Sequence, residues 1–454
     1  VHLVIGELAA VLGAEVVVGR DVGDHTAADA AVDGLAIDSR VLRPGQLFAA
    51  LVAERDGHDF VAAAVAAGAG ACLVERVDAA ALGGTPALVV ASVADALADL
   101  ARVARDRLEL TAAGRIVGVT GSVGKTTTKD LLASVLARRF PTAASERSFN
   151  NELGVPLTLA NAPDGTRAVV VEMGARGHGH IRTLCELARP SVGVVTLVAA
   201  VHSEFMGGVE RIAVAKRELV ESLPADGVAV LNADDERVAA MAGSTGARVA
   251  YFSAEGRAVA DVRAESVVIG PDLCASFVLC RGAERTPVRL GVRGEHNVTN
   301  ALAAATAAFA LGVSADEVAA GLAEPELSPW RMELGRSPAG ALVLNDAYNA
   351  NPTSMVAALR ALAALDAERR IAVLGHMAEL GADEAAEHRR VAAVAAALGV
   401  ELVAVRTDLY GVDPVDGTDG VLAAVGTIGD GVAVLVKASR SAGLEQVAAS
   451  LLGG

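Results

Sequence analysis

The sequence predicts an α/β protein of several domains, on three observations. Its 454 residues exceed what one core usually encloses, so at roughly 150 residues per domain about three domains are expected. Short apolar runs bounded by turn residues recur along the chain with helical patterns between them, as parallel strands covered on both faces require. A glycine-rich loop also stands between one such run and a helix, which puts a ligand site at the carboxyl end of a strand.

Composition narrows the partners. Aromatic residues reach only 3%, so Ala, Val and Leu must fill the cores and platforms for stacking nucleic acid bases are scarce. Against 39 basic residues stand 55 acidic ones, and the net charge of −16 opposes non-specific attraction to DNA, RNA or anionic lipid. No nucleic-acid partner is expected, and any anionic ligand must be held by local groups. Cys72, Cys185, Cys274 and Cys280 form no CxxC pair, which suits a reducing compartment and argues against a zinc site.

Taken in order, residues 1 to about 107 mix runs such as Ala71–Val74 and Ala87–Val90 with helical stretches at Phe60–Ala67 and Ala94–Arg105, reading as a small α/β domain. Val1–Val18 has no basic residue ahead of an apolar stretch, so no signal peptide is expected and the location expected is cytoplasmic. A Gly-terminated polar segment, Leu108–Gly114, marks the first boundary, and the domain expected over 108–325 opens with Arg115–Thr120. Its further strand-like runs are Arg167–Val171, Val192–Thr196 and Gly227–Leu231, and Val262–Val292 alternates as an antiparallel appendage would. The uncharged run Val298–Ala315 reaches about the minimum length of a membrane span, but its alanines, Thr299, Asn300, Gly312 and Ser314 read as one buried helix. Two prolines in Glu324–Pro329 mark the second boundary. Beyond it, over 326–454, Ala341–Leu344, Ile371–Leu374, Leu402–Val405 and Val432–Val436 alternate with helices, the pattern of a doubly wound, Rossmann-like domain.

The strongest chemical signal is Gly118-Val-Thr-Gly-Ser-Val-Gly-Lys-Thr-Thr-Thr128, between a strand and the helical Lys129–Leu136. Gly121, Ser122 and Gly124 let backbone N–H groups turn toward phosphate oxygens, Lys125 adds a full charge, and Thr126, beside Thr127, offers a hydroxyl to magnesium. Val119 stands where the strict spacing has a glycine, so the loop is a variant. A turn that binds nothing is the bland alternative, and it leaves the coincidence of strand, loop, Lys-Thr pair and helix unexplained. Glu172 ends a strand-like run followed by Gly174, which puts a hard oxygen ligand at the edge where open α/β sheets bind. His202 follows the next run, and Lys216 lies on an amphipathic helix where a solvated lysine is the default. Asn297 and Asn300 share a helix face, as joint ligand contacts or as a cap and a buried amide.

The loop resembles that of the Mur ligases and folylpolyglutamate synthases, which use ATP to join a carboxylate to an amine. Asp38-Ser-Arg40, Pro44–Phe48, Asp56–Phe60, Phe149–Thr158, Glu172–Ala175, His296–Leu302, Asn345–Pro352 and Ser439–Ser441 narrow the resemblance to the Mur ligases, nearly end to end and in the expected order. The family's architecture is three domains: a small N-terminal α/β domain for the uridine nucleotide, a central phosphate-loop ATPase domain with a mostly parallel sheet, and a C-terminal Rossmann-like domain that closes on ATP.

The resemblance implies ATP and two magnesium ions as cofactors, with Lys125, Thr126, Glu172, His202 and a carbamylated Lys216 at the phosphoryl-transfer site. It places Asn297 and Asn300 near the adenine, Arg331 near the phosphates and Asp346 at the ribose. Ser39 and Arg40 would meet the uridine nucleotide, Asn150 and Asn151 the muramoyl peptide, and Tyr348, Asn349, Asn351 and Arg440 the incoming dipeptide. The implied activity adds D-alanyl-D-alanine to UDP-N-acetylmuramoyl-tripeptide in cytoplasmic peptidoglycan precursor synthesis, by a monomer. An amide ligase of the same superfamily with another amine, or a non-catalytic ATP-binding relative, stays open. Arg147, Leu197, Met206, His376 and Ala438 depart from the residues usual in the family.

Overall fold

A computed structural model describes residues 2–18, 28–199 and 207–453. The chain divides into two compact units, Val1–Gly118 with Phe140–Gly174 and Arg182–Ser191, and Val119–Arg139 with Ala175–Ile181 and Val192–Gly454. The division falls inside the strand Ile116–Thr120.

In the first unit a sheet runs in the order Glu15–Val17, Ala87–Val89, Ala71–Val74, Leu47–Ala49, Leu35–Ala36, antiparallel at the first pairing and parallel thereafter. Phe48, Leu73 and Leu88 are buried in it. The helix Val93–Ala112 starts at Ser92, whose hydroxyl accepts from Asp95 N–H, and buries Leu97, Leu100, Ala101, Ala104 and Leu108 at helical spacing. Arg105 lies on that same buried face because its guanidinium donates to the carbonyls of Glu186 and Leu187, at the end of the helix His180–Ala188. A pairing that the apolar runs did not announce joins His2–Val4 to Ala31–Asp33, with the helix Ile5–Leu12 following the first of these strands. Thr142–Ala144 and Ala168–Glu172 pair in parallel.

The second unit holds two sheets. Val192–Val195, Val228–Asn232 and Arg248–Ser253 pair in parallel as expected of buried runs. Val262–Ile269 joins them in parallel at Phe252↔Val262 and then leads an antiparallel meander through Cys274–Arg281 and Glu284–Arg293. The run read as one helix over 298–315 is two: Asn297–Ala310 stops, Gly312 turns at φ +80°, and Ser314 and Glu317 form a reciprocal cap that starts Ala315–Ala323. A glycine followed by a capping serine outweighs unbroken hydrophobicity. Both helices pack on the helix Lys125–Ala137, so closely that a Cβ on Gly321 would lie 2.5 Å from Val135 Cα. Only glycine, with no Cβ, fits at that contact.

The last sheet runs Glu333–Arg336, Leu342–Asn345, Val432–Lys437, Arg369–Leu374, Glu401–Ala404. Four strands are parallel, as expected, and Glu333–Arg336 adds an antiparallel edge that the alternating pattern did not show. One face buries Met355, Leu359, Leu362 and Val391, the other Val421, Val425, Val447 and Leu451, so helices cover both sides. Because Val432–Lys437 inserts between the first two parallel strands, the chain leaves Leu342–Asn345 and Val432–Lys437 on opposite faces. Their carboxyl ends therefore border a crevice.

Candidate active site

The strand Ile116–Thr120 feeds the glycine-rich turn and the helix Lys125–Ala137 leaves it. Gly124 occupies the cap position at φ +88° and no side chain caps the first turn, so the leading N–H groups and the positive helix end are open to an anion. Glycine is required twice here. A Cβ on Gly124 would collide with Asn300 Oδ1, and one on Gly121, at φ +146°, with Thr196 Oγ1. The Thr196 hydroxyl donates to Val123 O at 2.6 Å and Ser122 N–H donates to Leu197 O at 2.7 Å. Only the backbone of Leu197 is used in that bond, so the departure there leaves the loop intact. Lys125 Nζ donates to Gly121 O at 2.8 Å and so lies across the loop, while Thr126 and Thr127 are buried in the first helical turn.

Asn297 and Asn300 are buried, and their amides serve one another. Asn300 Nδ2 donates to Asn297 Oδ1 and Asn297 Nδ2 to Arg293 O, each at 2.6 Å, while Thr128 Oγ1 donates to Asn300 Oδ1 at 3.3 Å. The pair thus docks its helix on the phosphate-loop helix.

In the first unit, Glu172 closes its strand with 1% of its surface exposed. Ser145, which sequence reasoning missed, accepts Glu172 N–H at 3.0 Å, and Asn150 Nδ2 donates to Oε1 at 2.8 Å. Oε2 is buried without a hydrogen-bond partner. An orphaned buried carboxylate oxygen is the donor a magnesium ion takes, so this residue fits the metal its position suggested. Asn151 caps the helix Gly154–Ala160 through Gly154 N–H at 3.0 Å, which occupies its carbonyl end. Arg147, where the family often has glycine, sits at φ +50° in the left-handed region that glycine favours.

Lys216 is 2% exposed on the helix Val209–Glu221, not the solvated lysine that amphipathic spacing makes the default. His202 and Met206 lie outside the described residues. Among the described residues no group of three or more His, Cys, Asp or Glu side chains is arranged to hold a metal.

At the crevice of the last sheet, Asp346 follows one strand and Lys437 ends its neighbour. Lys437 Nζ binds Asp346 Oδ2 at 2.6 Å and donates to Asn349 O at 2.7 Å, a buried ion pair that sequence reasoning did not single out. Its signal was available, since Lys437 opens the Lys-Ala-Ser-Arg stretch. Arg331 lays its guanidinium over the Tyr348 ring, 4.4 Å from the centroid, and its Nε is buried without a partner. Asn351 Oδ1 caps the helix Pro352–Ala364 through Ser354 N–H at 2.9 Å, and Asn349 is exposed. Arg440 pairs with Glu445 and stacks on Trp330 at 4.6 Å. His376 Nε2 meets Glu384 Oε1 at 2.6 Å, and Ala438 is buried against Gly375.

Asp38 and Arg40 form a forked pair that draws the Asp38 carboxyl down to about 2, and Arg40 is otherwise solvent-exposed beside the half-buried Ser39. All four cysteines are buried outside any disulfide, and burial pushes the Cys72 thiol up to about 12, which disfavours its thiolate.

The Mur ligase middle domain matches residues 119–308 and the Mur ligase, glutamate ligase domain matches 330–451. The chain is 41% identical to the UDP-N-acetylmuramoyl-tripeptide–D-alanyl-D-alanine ligase of Mycobacterium tuberculosis strain H37Rv, covering 100% of this chain and 98% of the relative. The chain belongs to the Mur ligase family. Among solved Mur ligase structures, MurF of Acinetobacter baumannii matches at a TM-score of 0.84 and 29% identity, over 100% of this chain and 99% of that one. MurF of Thermotoga maritima in complex with ADP matches at 0.78 and 27%, over 93% and 97%. This Mur ligase thus shares the three-domain α/β architecture of those enzymes along its whole length. No helix among its described residues is long and apolar enough to cross a membrane.

Proposed function

We propose that this Mur ligase joins D-alanyl-D-alanine to UDP-N-acetylmuramoyl-tripeptide at the expense of ATP, as a cytoplasmic monomer in peptidoglycan precursor synthesis. The observation that carries the substrate choice is the end-to-end identity to the mycobacterial D-alanyl-D-alanine ligase. The phosphate loop alone is common to the family; the peptide and dipeptide must be recognised elsewhere in the chain.

In this reading the terminal carboxylate of the tripeptide attacks the γ-phosphorus of ATP, the bond to the β-γ bridging oxygen breaks, and an acyl phosphate and ADP result. The dipeptide's free amine then attacks the acyl carbon, loses a proton, and expels phosphate. The open N–H groups after Gly124 hold the phosphates, and Lys125 swings from Gly121 O to the transferring group, where its charge stabilises the transition state. Thr126, Glu172, His202 and Lys216 form the proposed magnesium set, Glu172 through its unpartnered Oε2. Lys216 joins it as a carbamate, formed when its neutral amine adds carbon dioxide and releases a proton. Bound magnesium would supply charge neutralisation on the phosphate oxygens.

Residues 1–107, with Ser39 and Arg40, take the uridine nucleotide; 108–325 take ATP, with Asn297 and Asn300 bracing the helix beside the adenine; 326–454 close over both. Asn150 and Asn151 face the muramoyl peptide. Arg331 meets the phosphates, Asp346 the ribose, and Tyr348, Asn349, Asn351 and Arg440 the dipeptide. Closure about 324–329 keeps water from the acyl phosphate.

Incubation with ATP, magnesium, the nucleotide-linked tripeptide and a panel of amines, with products weighed by mass spectrometry, tests this. The D-alanyl-D-alanine adduct should dominate; equal or faster turnover with a single amino acid would overturn the assignment.

A further inference from the structure

The phosphate-loop helix carries, one turn beyond its uncapped end, a buried ion pair that reaches Ser328. Lys129 Nζ and Asp130 Oδ1 are 2.6 Å apart, with side chains 3% and 6% exposed. Asp130 Oδ2 accepts Ser328 N–H at 2.8 Å, Oδ1 accepts the Ser328 hydroxyl at 3.1 Å, and Lys129 Nζ reaches Ser328 Oγ at 3.5 Å. A turn further on, Ser134 Oγ accepts Glu326 N–H at 3.0 Å. Segment 326–328, the entry to the last domain, is therefore clasped to the helix that begins at the phosphate site. A buried ion pair adds little net stability, and its best use is to select one geometry.

The backbone just beyond the clasp is strained. Trp330 and Met332 sit at φ +60° and +53°, where bulky side chains are seldom found, and Arg331 lies between them. The downstream side is pinned too, since Trp330 N–H donates to Glu333 Oε1 at 2.8 Å and Met332 N–H to Asp346 Oδ1 at 3.2 Å. The Trp330 ring lies under Arg440 and Arg331 lies over Tyr348. An elbow bent against its backbone preference keeps its shape only while both ends are held.

We propose that Lys129 and Asp130 are positioning residues for the ligation. They tie the phosphate-loop helix to the elbow at 328–332 and so set where Arg331 stands relative to the bound nucleotide. The proposal rests on the ATP-dependent reading above and adds residues that touch no reactant. Their loss should lower the rate of the chemical step and leave nucleotide affinity nearly unchanged.

Trp330 is the single tryptophan of the chain, so intrinsic fluorescence reports on the elbow itself. Asp130→Asn keeps the acceptor for Ser328 N–H and removes the charge; Ser328→Ala removes only a hydroxyl and should fold like the parent. With Asp130→Asn, kcat is expected to fall about tenfold with KM for ATP within about twofold, and with Ser328→Ala kcat about threefold. The Trp330 fluorescence change on adding magnesium–ADP should shrink in both. If both fold and keep the parental kcat and fluorescence response, the proposal fails. It fails equally if Asp130→Asn only melts earlier while Ser328→Ala matches the parent in both readouts, because the pair is then merely structural. If the parent shows no D-alanyl-D-alanine ligation but the variants lose the Trp330 response, the clasp stands and the substrate assignment falls.

Discussion

The phosphate loop and the crevice of the last sheet are built on opposite principles. At the loop the site is backbone: glycines at 121 and 124, an uncapped helix end, and one lysine resting on a carbonyl of its own loop. At the crevice the site is side chains that also hold the fold, with Asp346 and Lys437 paired out of water, Asn351 capping a helix and Arg331 packed on Tyr348. The contrast teaches where function and stability separate. A loop residue can be removed for its chemistry alone, whereas a crevice residue takes structure with it.

The largest expected effect would break the comparison if absent. Lys125→Ala should lower the ligation rate by about 10^3, the order seen when one charge-stabilising donor is lost, with an unchanged melting temperature. Phosphate release and thermal melting check the two halves. Next, Lys437→Met leaves Asp346 without its buried partner and should cost about 3 kcal/mol in denaturant titration, far more than the same change at Lys125. Asn351→Ala removes the cap of Pro352–Ala364 and should cost about 1 kcal/mol in denaturant titration, with a raised KM for the dipeptide as the second readout.

The smallest effect is a pH slope. His388 is buried, accepts Met377 N–H on Nε2 at 3.0 Å and donates from Nδ1 to Glu384 O at 2.7 Å, and burial holds it below its ordinary 6.5. The unfolded chain takes up that proton first. The stabilisation is therefore complete above 6.5 and is lost as pH falls from there toward the folded value. Melting temperatures of parent and His388→Gln should converge as pH drops from 7.5 to 5.5; a gap that widened would contradict this.

Much was legible in the sequence because it is local. The strand-length apolar runs became strands at 71–74, 87–89, 116–120, 168–172, 192–195, 228–232 and 432–437, since a buried parallel strand must be continuously apolar. The phosphate loop was legible because glycine conformations, a lysine and a helix start sit within eleven residues. The division of 298–315 was present in Gly312 and Ser314 but was outweighed by hydrophobicity.

The sequence by itself thus determined the α/β alternation, the chemistry of the loop and, through resemblance, the family. Only the tertiary structure decided that Glu172 keeps one oxygen unpartnered, that Asn297 and Asn300 bind each other, that Lys437 answers Asp346 across 91 residues, and that Asp130 holds Ser328 across 198. Periodicity and loop motifs report on neighbours along the chain. A buried polar group, by contrast, must find its partner wherever folding brings one, and that distance in sequence leaves no local trace.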